Sequence, residues 1–193
     1  MKRALAALVL AVAAVVLVVF APSPTLRAEA GATAADPVVR GRYLVAITGC
    51  NDCHTPFKLG PRGPEPDLAR LLSGHPTEAE LPAPPAAAGP WIWSGFATNT
   101  AFAGPWGVSI ARNLTPDAET GLGSWTYERF DLAMRQGKHL GQPDQRPVMP
   151  PMPSPAYANL TDDDLAAIWA YLRSVPAIAN AAPPSAPAPP PAY

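Results

Sequence analysis

Hydrophobic residues recur at helical spacing in three segments of the chain. They are Val38, Val39, Tyr43, Leu44 and Ile47 in the first segment, Phe130, Ala133 and Met134 in the second, and Leu165, Ile168, Trp169 and Leu172 in the third. The residues that precede them and can cap a helix N-terminus are Asp36, Thr126 and Thr161. Glycine or proline follows each segment and ends the helix. The pattern therefore predicts helices over residues 37–48, over 127–136 and from 162 to the proline at 176.

Gly41 lies inside the first predicted helix. Glycine there weakens a helix by about 1 kcal/mol relative to alanine. A close crossing with another helix at this position would explain the use of glycine.

The long section between the first two predicted helices has no helical period. Residues 91–98 and 107–113 are candidates for a short antiparallel pair, with residues 100–105 as the connection. Residues 60–90 are rich in proline and are interpreted as a surface excursion. We therefore expect an all-α fold with a long irregular section and room for one short β-hairpin.

The two ends of the chain differ in composition from the middle. Lys2 and Arg3 precede an apolar run over residues 4–21, and Ala28-Glu29-Ala30 offers a small-x-small cleavage site. The run is also near the lower length limit for crossing a bilayer, so residues 1–30 are predicted to be a signal peptide or an N-terminal membrane anchor. The Ala/Pro-rich residues 178–193 are predicted to be disordered. One domain over residues 36–177 remains.

The chemistry is carried by five consecutive residues, Cys50-Asn51-Asp52-Cys53-His54. Cys-x-x-Cys-His is the attachment signature of c-type haem. The spacing lets both sulfurs form thioether bonds to one porphyrin, while the adjacent histidine becomes the proximal iron ligand. Cys50 and Cys53 are the only cysteines in the chain. The motif therefore predicts one covalently attached haem c.

Three other interpretations of the two cysteines remain open at this point. One is a disulfide, and another is a thioredoxin-like redox pair, which would need a βαβ pattern that the chain lacks. A zinc site would need four ligands, and only His75 and His139 are left to complete one.

The N-terminal run favours haem, because haem is attached to c-type apoproteins outside the cytoplasmic membrane. We expect a periplasmic protein, either soluble after signal cleavage or tethered to the outer face of that membrane. The formal net charge of −1 argues against a nucleic-acid partner.

The residue on the other face of the haem decides between an electron carrier and an open, reactive iron. The candidates are Met134, His75, His139, Met149 and Met152. Met134 reads as a core residue of the second helix, and the two lone histidines read as surface residues. Met149 and Met152 lie among prolines, which restrict the backbone and hold a side chain in place at small entropic cost. A methionine ligand raises the reduction potential of haem.

Three stretches of the chain resemble class I c-type cytochromes, and in particular the haem domains of periplasmic cytochrome subunits of alcohol, aldehyde and gluconate dehydrogenases. These are residues 41–45 with 49–55 (GRYLV and GCNDCHT), residues 111–125 (ARNLTPDAETGLGSW), and residues 151–172, which begin PMP and continue into a Leu-Thr-Asp helix start. The resemblance implies an all-α cytochrome c fold. It also implies Met152 as the distal ligand, although Ser154 stands where the family often has an aromatic residue.

The same resemblance implies positions for four other side chains. Gly41 and Tyr43 would meet the C-terminal helix near Trp169 and Leu172. Trp125 and Asn113 would lie near the haem edge, where an indole N–H can reach a propionate.

We therefore predict a one-electron carrier rather than an enzyme. Its haem would be held by Cys50, Cys53, His54 and Met152, with iron ligated by His54 and Met152. A dehydrogenase, a quinol-oxidising complex or a terminal oxidase would be its redox partner. The alternatives are a permanent subunit of a membrane-bound dehydrogenase complex and a haem sensor with an open distal site. A peroxidase-like enzyme would call for a second haem or a distal acid–base pair, and the sequence offers neither.

Overall fold

Five helices and six short strands are found in residues 36–85 and 92–188, the part of the chain that this computed structural model describes. The helices are α1 (Pro37–Ile47), α2 (Cys50–His54), α3 (Tyr127–Arg135), α4 (Ser154–Tyr157) and α5 (Asp162–Ser174). The strands are β1 (Phe57–Gly60), β2 (Gly63–Pro66), β3 (Ser94–Gly95), β4 (Ala101–Gly104), β5 (Gly107–Ile110) and β6 (Ala186–Pro187). Single 3-10 turns occur at Leu68–Arg70 and His139–Gly141.

The three predicted helices are confirmed, and each has its predicted cap. The Asp36 side chain accepts a hydrogen bond from the Val38 N–H at 2.9 Å. Thr126 accepts from the Arg129 N–H at 3.3 Å, and Thr161 accepts from the Asp164 N–H at 3.1 Å. These bonds join residues two or three positions apart, so the sequence alone is enough to indicate them.

Helices α1 and α5 pack against each other and form the centre of the hydrophobic core. Leu44 and Val45 of α1 are buried together with Leu165, Ile168 and Leu172 of α5. The crossing predicted at Gly41 is confirmed, because a β-carbon there would overlap the Ala167 backbone and the Tyr171 side chain.

The solvent-facing side of α1 differs from the sequence interpretation. Val39, Tyr43 and Ile47 are 64%, 54% and 59% exposed, so only part of the apolar pattern of this helix is buried. Tyr43, which the resemblance placed near α5, has more than half of its surface exposed to solvent. The buried face of α1 consists of Gly41, Leu44 and Val45.

Gly41→Ala is expected to destabilise the protein by about 1–3 kcal/mol, because the added methyl group has no room at the helix crossing. Helix propensity alone would give the opposite sign, a stabilisation of about 1 kcal/mol. Chemical denaturation of both proteins measures the difference. Gly95→Ala is the control, since a β-carbon there would meet its nearest atom, in Phe102, at 3.6 Å. A Gly41→Ala protein as stable as wild type would contradict the close crossing.

The expectation of an all-α fold is wrong, because the described residues contain two antiparallel sheets. Strands β1 and β2 form a hairpin, and a second sheet has the order β3-β4-β5-β6. The strands are two to four residues long, too short for an alternating pattern to stand out in the sequence. In addition, β6 pairs with a strand far away in the chain, which no local pattern can indicate.

The predicted hairpin forms with different partners. We expected residues 91–98 to pair with 107–113, but β5 pairs with β4, inside the segment expected to be the connection. Residues 94–95 of the expected strand form β3 on the other side of β4, and Trp91 lies outside the described residues.

Two segments that we interpreted as peripheral are part of the folded structure. Within the expected excursion over residues 60–90, residues 72–76 are buried. His75, interpreted as a surface residue, is 0% exposed and lies within hydrogen-bonding distance of the Thr100 hydroxyl and the Ala79 carbonyl. The tail expected to be disordered runs along the domain over residues 178–188 and contributes β6. Residues 189–193 lie outside the described part.

The predicted N-terminal signal or anchor, residues 1–30, also lies outside the described residues. Among residues 36–85 and 92–188, no helix combines the length and the apolar character needed to span a bilayer.

Candidate haem site

Cys50, Cys53 and His54 lie together on the short helix α2. Gly49 precedes this helix with a φ of +78°, a left-handed conformation that glycine adopts without strain and that turns the chain out of α1. Residues three and four positions apart share one face of a helix, so the motif spacing directs all three side chains the same way. All three line one cavity.

Both cysteines are unpaired thiols, so the structure contains no disulfide between them. Burial raises the pKa of the Cys50 thiol and of the Cys53 thiol, with the charge of Asp52 adding to both. In the absence of haem both sulfurs therefore remain protonated near neutral pH.

His54 has its imidazole fixed by a backbone group from a distant loop. Its Nδ1 lies 2.7 Å from the carbonyl oxygen of Arg112. Because a carbonyl can only accept, Nδ1 carries the proton, and Nε2 keeps a free lone pair that can bind a metal. Burial lowers the pKa of His54, which favours the neutral imidazole that coordinates iron.

The cavity has a volume of about 390 Å³ and brings together residues from most of the described chain. Met149, Pro151 and Met152 line it from the loop before α4, and Met134 lines it from α3. The Pro150–Pro151 peptide bond in this loop is cis. The Ser109 hydroxyl donates to the Pro150 carbonyl at 2.5 Å and ties the loop to β5.

The structure narrows the list of distal ligand candidates. His75 does not line the cavity, and its two ring nitrogens face Thr100 and Ala79 instead. His139, Met134, Met149 and Met152 do line it. Met134 is part of the buried core, as expected, and Met152 packs against that core, whereas Met149 does not belong to the cluster.

Tyr157 connects the methionine loop to the cysteine loop. Its hydroxyl donates to the Thr48 carbonyl at 2.8 Å, just ahead of α2. Burial raises the pKa of Tyr157 above its ordinary value, which favours the protonated hydroxyl that donates this bond. This bond joins α4 to the turn that delivers Cys50.

Trp125 and Asn113 both line the cavity, where the resemblance implied a haem edge. The Arg129 guanidinium lies over the Trp125 ring, 4.5 Å from its centroid. Asn113 is occupied with the backbone: its amide donates to the Ile178 carbonyl at 2.7 Å, and its oxygen accepts from the Thr115 N–H.

A group of basic side chains that the sequence interpretation missed also lines the cavity: Arg112, Arg129, His139 and Arg146. Glu119 is the single carboxylate among the described lining residues. Arg129 Nε and His139 Nδ1 are buried without a hydrogen-bond partner. Burial lowers the pKa of His139, and the nearby charges of Arg146 and Arg112 lower it further.

The site fits a planar apolar ligand that carries carboxylates. Buried donors without partners are rare in proteins and indicate that an acceptor belongs beside them. Haem has two propionate groups, and the arginines of the cavity would compensate their charge. The four basic residues come from separate loops and helices, so no sequence motif signals them.

A zinc interpretation finds no support in the structure. Across residues 36–85 and 92–188, no group of three or more His, Cys, Asp or Glu side chains is arranged to hold a metal ion.

Comparison with known proteins points to the same cofactor chemistry. The chain is 36% identical over 145 residues to the gluconate 2-dehydrogenase cytochrome c subunit of Pantoea cypripedii, covering 75% of this chain and 24% of that protein. It is 30% identical over 134 residues to the cytochrome c subunit of a quinone alcohol dehydrogenase of Gluconobacter oxydans, covering 69% and 20%. A fructose dehydrogenase cytochrome subunit of Gluconobacter japonicus is 28% identical over 137 residues, covering 71% and 21%.

The chain thus spans less than a quarter of the length of these relatives. All three are named as cytochrome subunits of dehydrogenases, which agrees with the expectation of an electron-transfer protein rather than an enzyme. The family model for cytochrome c matches residues 38–176, almost the whole of the predicted domain. This chain therefore belongs to the cytochrome c family.

Proposed function

We propose that this protein is a one-electron carrier with a single haem c, attached through Cys50 and Cys53 and ligated by His54 and Met152. One observation carries the proposal: the two thiols, the imidazole and the methionine line the same cavity, although Met152 is about a hundred positions from the motif. When bound, haem c supplies an iron that alternates between the ferric and ferrous states.

The protein residues position and tune that iron. His54 presents Nε2 because Arg112 accepts its Nδ1 proton at 2.7 Å. The apolar side chains that line the cavity would surround the haem and favour the less charged, reduced centre. Arg129 and Arg146 line the cavity and would offset the charge of the propionates.

Met152 is favoured over Met149 as the distal ligand on two grounds. It packs against the hydrophobic core, which restrains its side chain. It also lies between Pro151 and Pro153, whose fixed φ angles limit the motion of the loop.

We place this carrier in the periplasm, soluble after signal cleavage or tethered to the membrane by its N-terminal segment. The motif requires haem attachment outside the cytoplasm, and the relatives named as dehydrogenase subunits support a dehydrogenase as electron donor. Permanent association with such a dehydrogenase is the second candidate function, because the relatives are themselves subunits. Co-purification at stoichiometric ratio from native membranes distinguishes a permanent subunit from a mobile carrier.

The test of the proposal is expression with the haem maturation machinery. Intact-mass spectrometry is expected to show one haem added to the chain, and none in the Cys50→Ala/Cys53→Ala variant. The reduced wild type is expected to show a low-spin c-type spectrum and no binding of carbon monoxide. If the reduced wild type binds carbon monoxide freely, the distal position of the iron is open, and the protein is a haem sensor rather than an electron carrier.

A further inference from the structure

The segment 178–186, which we name the C-terminal strap, makes hydrogen bonds to loops that surround the proximal histidine. Ile178 accepts from the Asn113 amide at 2.7 Å and donates its N–H to Thr115 Oγ1 at 3.1 Å. The Ala182 carbonyl accepts from the Arg112 guanidinium at 2.8 Å. The Ser185 hydroxyl accepts from the Ile110 N–H at 2.9 Å. The strap therefore holds the segment 110–115 at several points.

Asn180 binds a second loop, residues 73–77, through both the nitrogen and the oxygen of its side-chain amide. Its amide donates to the carbonyls of Ser73 and His75, at 2.6 and 2.8 Å. Its oxygen accepts from the N–H and the hydroxyl of Thr77, at 3.0 and 2.9 Å. Asn180 is 4% exposed, and Ser73 and His75 are fully buried, so the carbonyls of those two residues would be left buried and unpaired if the side chain were removed.

The two loops held by the strap are the ones that contact His54. The Arg112 carbonyl accepts from His54 Nδ1, and the Gly74 N–H donates to the His54 carbonyl at 2.8 Å. The loops are also joined to each other, since the His75 N–H donates to the Ala111 carbonyl at 3.0 Å. Hydrogen bonds thus join His54 to the two loops, and further hydrogen bonds join the two loops to the strap.

We propose that Asn180, with the strap it belongs to, is a positioning residue that sets the reduction potential through the hydrogen bond of His54. This inference rests on the proposed function, in which His54 is the proximal ligand. A strong Nδ1–H···O=C bond makes an imidazole a better electron donor and favours ferric iron. By fixing residues 73–77 against residue 111, Asn180 keeps the Arg112 carbonyl close to Nδ1. Loosening this contact raises the reduction potential.

The experiment compares holoproteins with a substitution at position 180. Asn180→Ala removes all five side-chain hydrogen bonds, which include a long one of 3.5 Å from the Arg70 guanidinium. Asn180→Ser leaves a small uncharged hydroxyl in the same buried position. We expect the ferrous/ferric ratio at fixed potential to rise by about threefold to tenfold in Asn180→Ala, where tenfold corresponds to about 59 mV for one electron. Asn180→Ser is expected to give a smaller change of the same sign, and it replaces the alanine variant if that variant fails to fold.

Gly41→Ala is the control, because it destabilises the α1–α5 crossing without touching the loops around His54. The second readout is the NMR shift of the His54 Nδ1 proton in the reduced protein, which is expected to move upfield in the position 180 variants and not in the control. If the position 180 variants lose stability like the control, but keep the wild-type potential and proton shift, the strap is only structural. A wild type without a His/Met spectrum would overturn the proposed function instead.

Discussion

Met152→Ala is expected to lower the reduction potential by an amount on the order of 0.1 V, within the roughly 0.8 V range that axial ligands control. A thioether stabilises ferrous iron, and water or an empty position does so less well. The variant is also expected to lose the weak far-red band of methionine–iron ligation and to bind carbon monoxide when reduced. Potentiometry and absorption spectra of the oxidised and reduced proteins measure both effects.

Met149→Ala is the matched control for this prediction. Met149 lines the same cavity and belongs to the same proline-rich loop, but it does not pack against the core. It is therefore expected to keep the far-red band and a potential close to that of wild type. The opposite pattern, with Met149→Ala losing the band and Met152→Ala keeping it, would assign the distal ligand to Met149.

The protein without haem is expected to lose most of its helix content. Without haem, solvent would enter the cavity of about 390 Å³, and the apolar side chains that line it would no longer be buried against the cofactor. A typical domain is stable by only about 5–15 kcal/mol, so the loss of this burial removes a large share of the stability. The buried atoms Arg129 Nε and His139 Nδ1 would also remain without a hydrogen-bond partner, which adds to the cost.

The Cys50→Ser/Cys53→Ser variant, prepared without haem, measures this effect by far-ultraviolet circular dichroism and thermal unfolding. The wild-type holoprotein is the reference. We expect the variant to show weak helicity and no cooperative transition. Comparable helicity and cooperativity in the two proteins would mean that α1 and α5 form a stable core on their own.

The sequence predicted α1, α3 and α5 to within one or two residues because their signals are local. Asp36, Thr126 and Thr161 each cap a backbone N–H two or three positions away. The sequence was a poorer guide to which apolar residues are buried. Val39 and Tyr43 have the expected spacing on α1 but face solvent, since the approach of α5 at Gly41 sets the buried face.

The sheets escaped prediction because their signals are not local. Strands β4 and β5 are four residues each, and β6 adds to them from the other end of the domain. The proline-rich composition of the tail indicated disorder. A single side chain, Asn180, nevertheless bonds the tail to residues more than a hundred positions away, and an average composition cannot predict such a contact.

The Cys-x-x-Cys-His spacing was enough to predict that the short helix α2 can attach a haem and ligate its iron. Cys50, Cys53 and His54 share a face of α2 because residues three and four apart always do so on a helix. Only the tertiary structure decided which carbonyl faces His54, which basic residues surround the cavity and what the strap supports. These contacts join segments distant in sequence, and their geometry follows from the packing of the whole chain rather than from any local pattern.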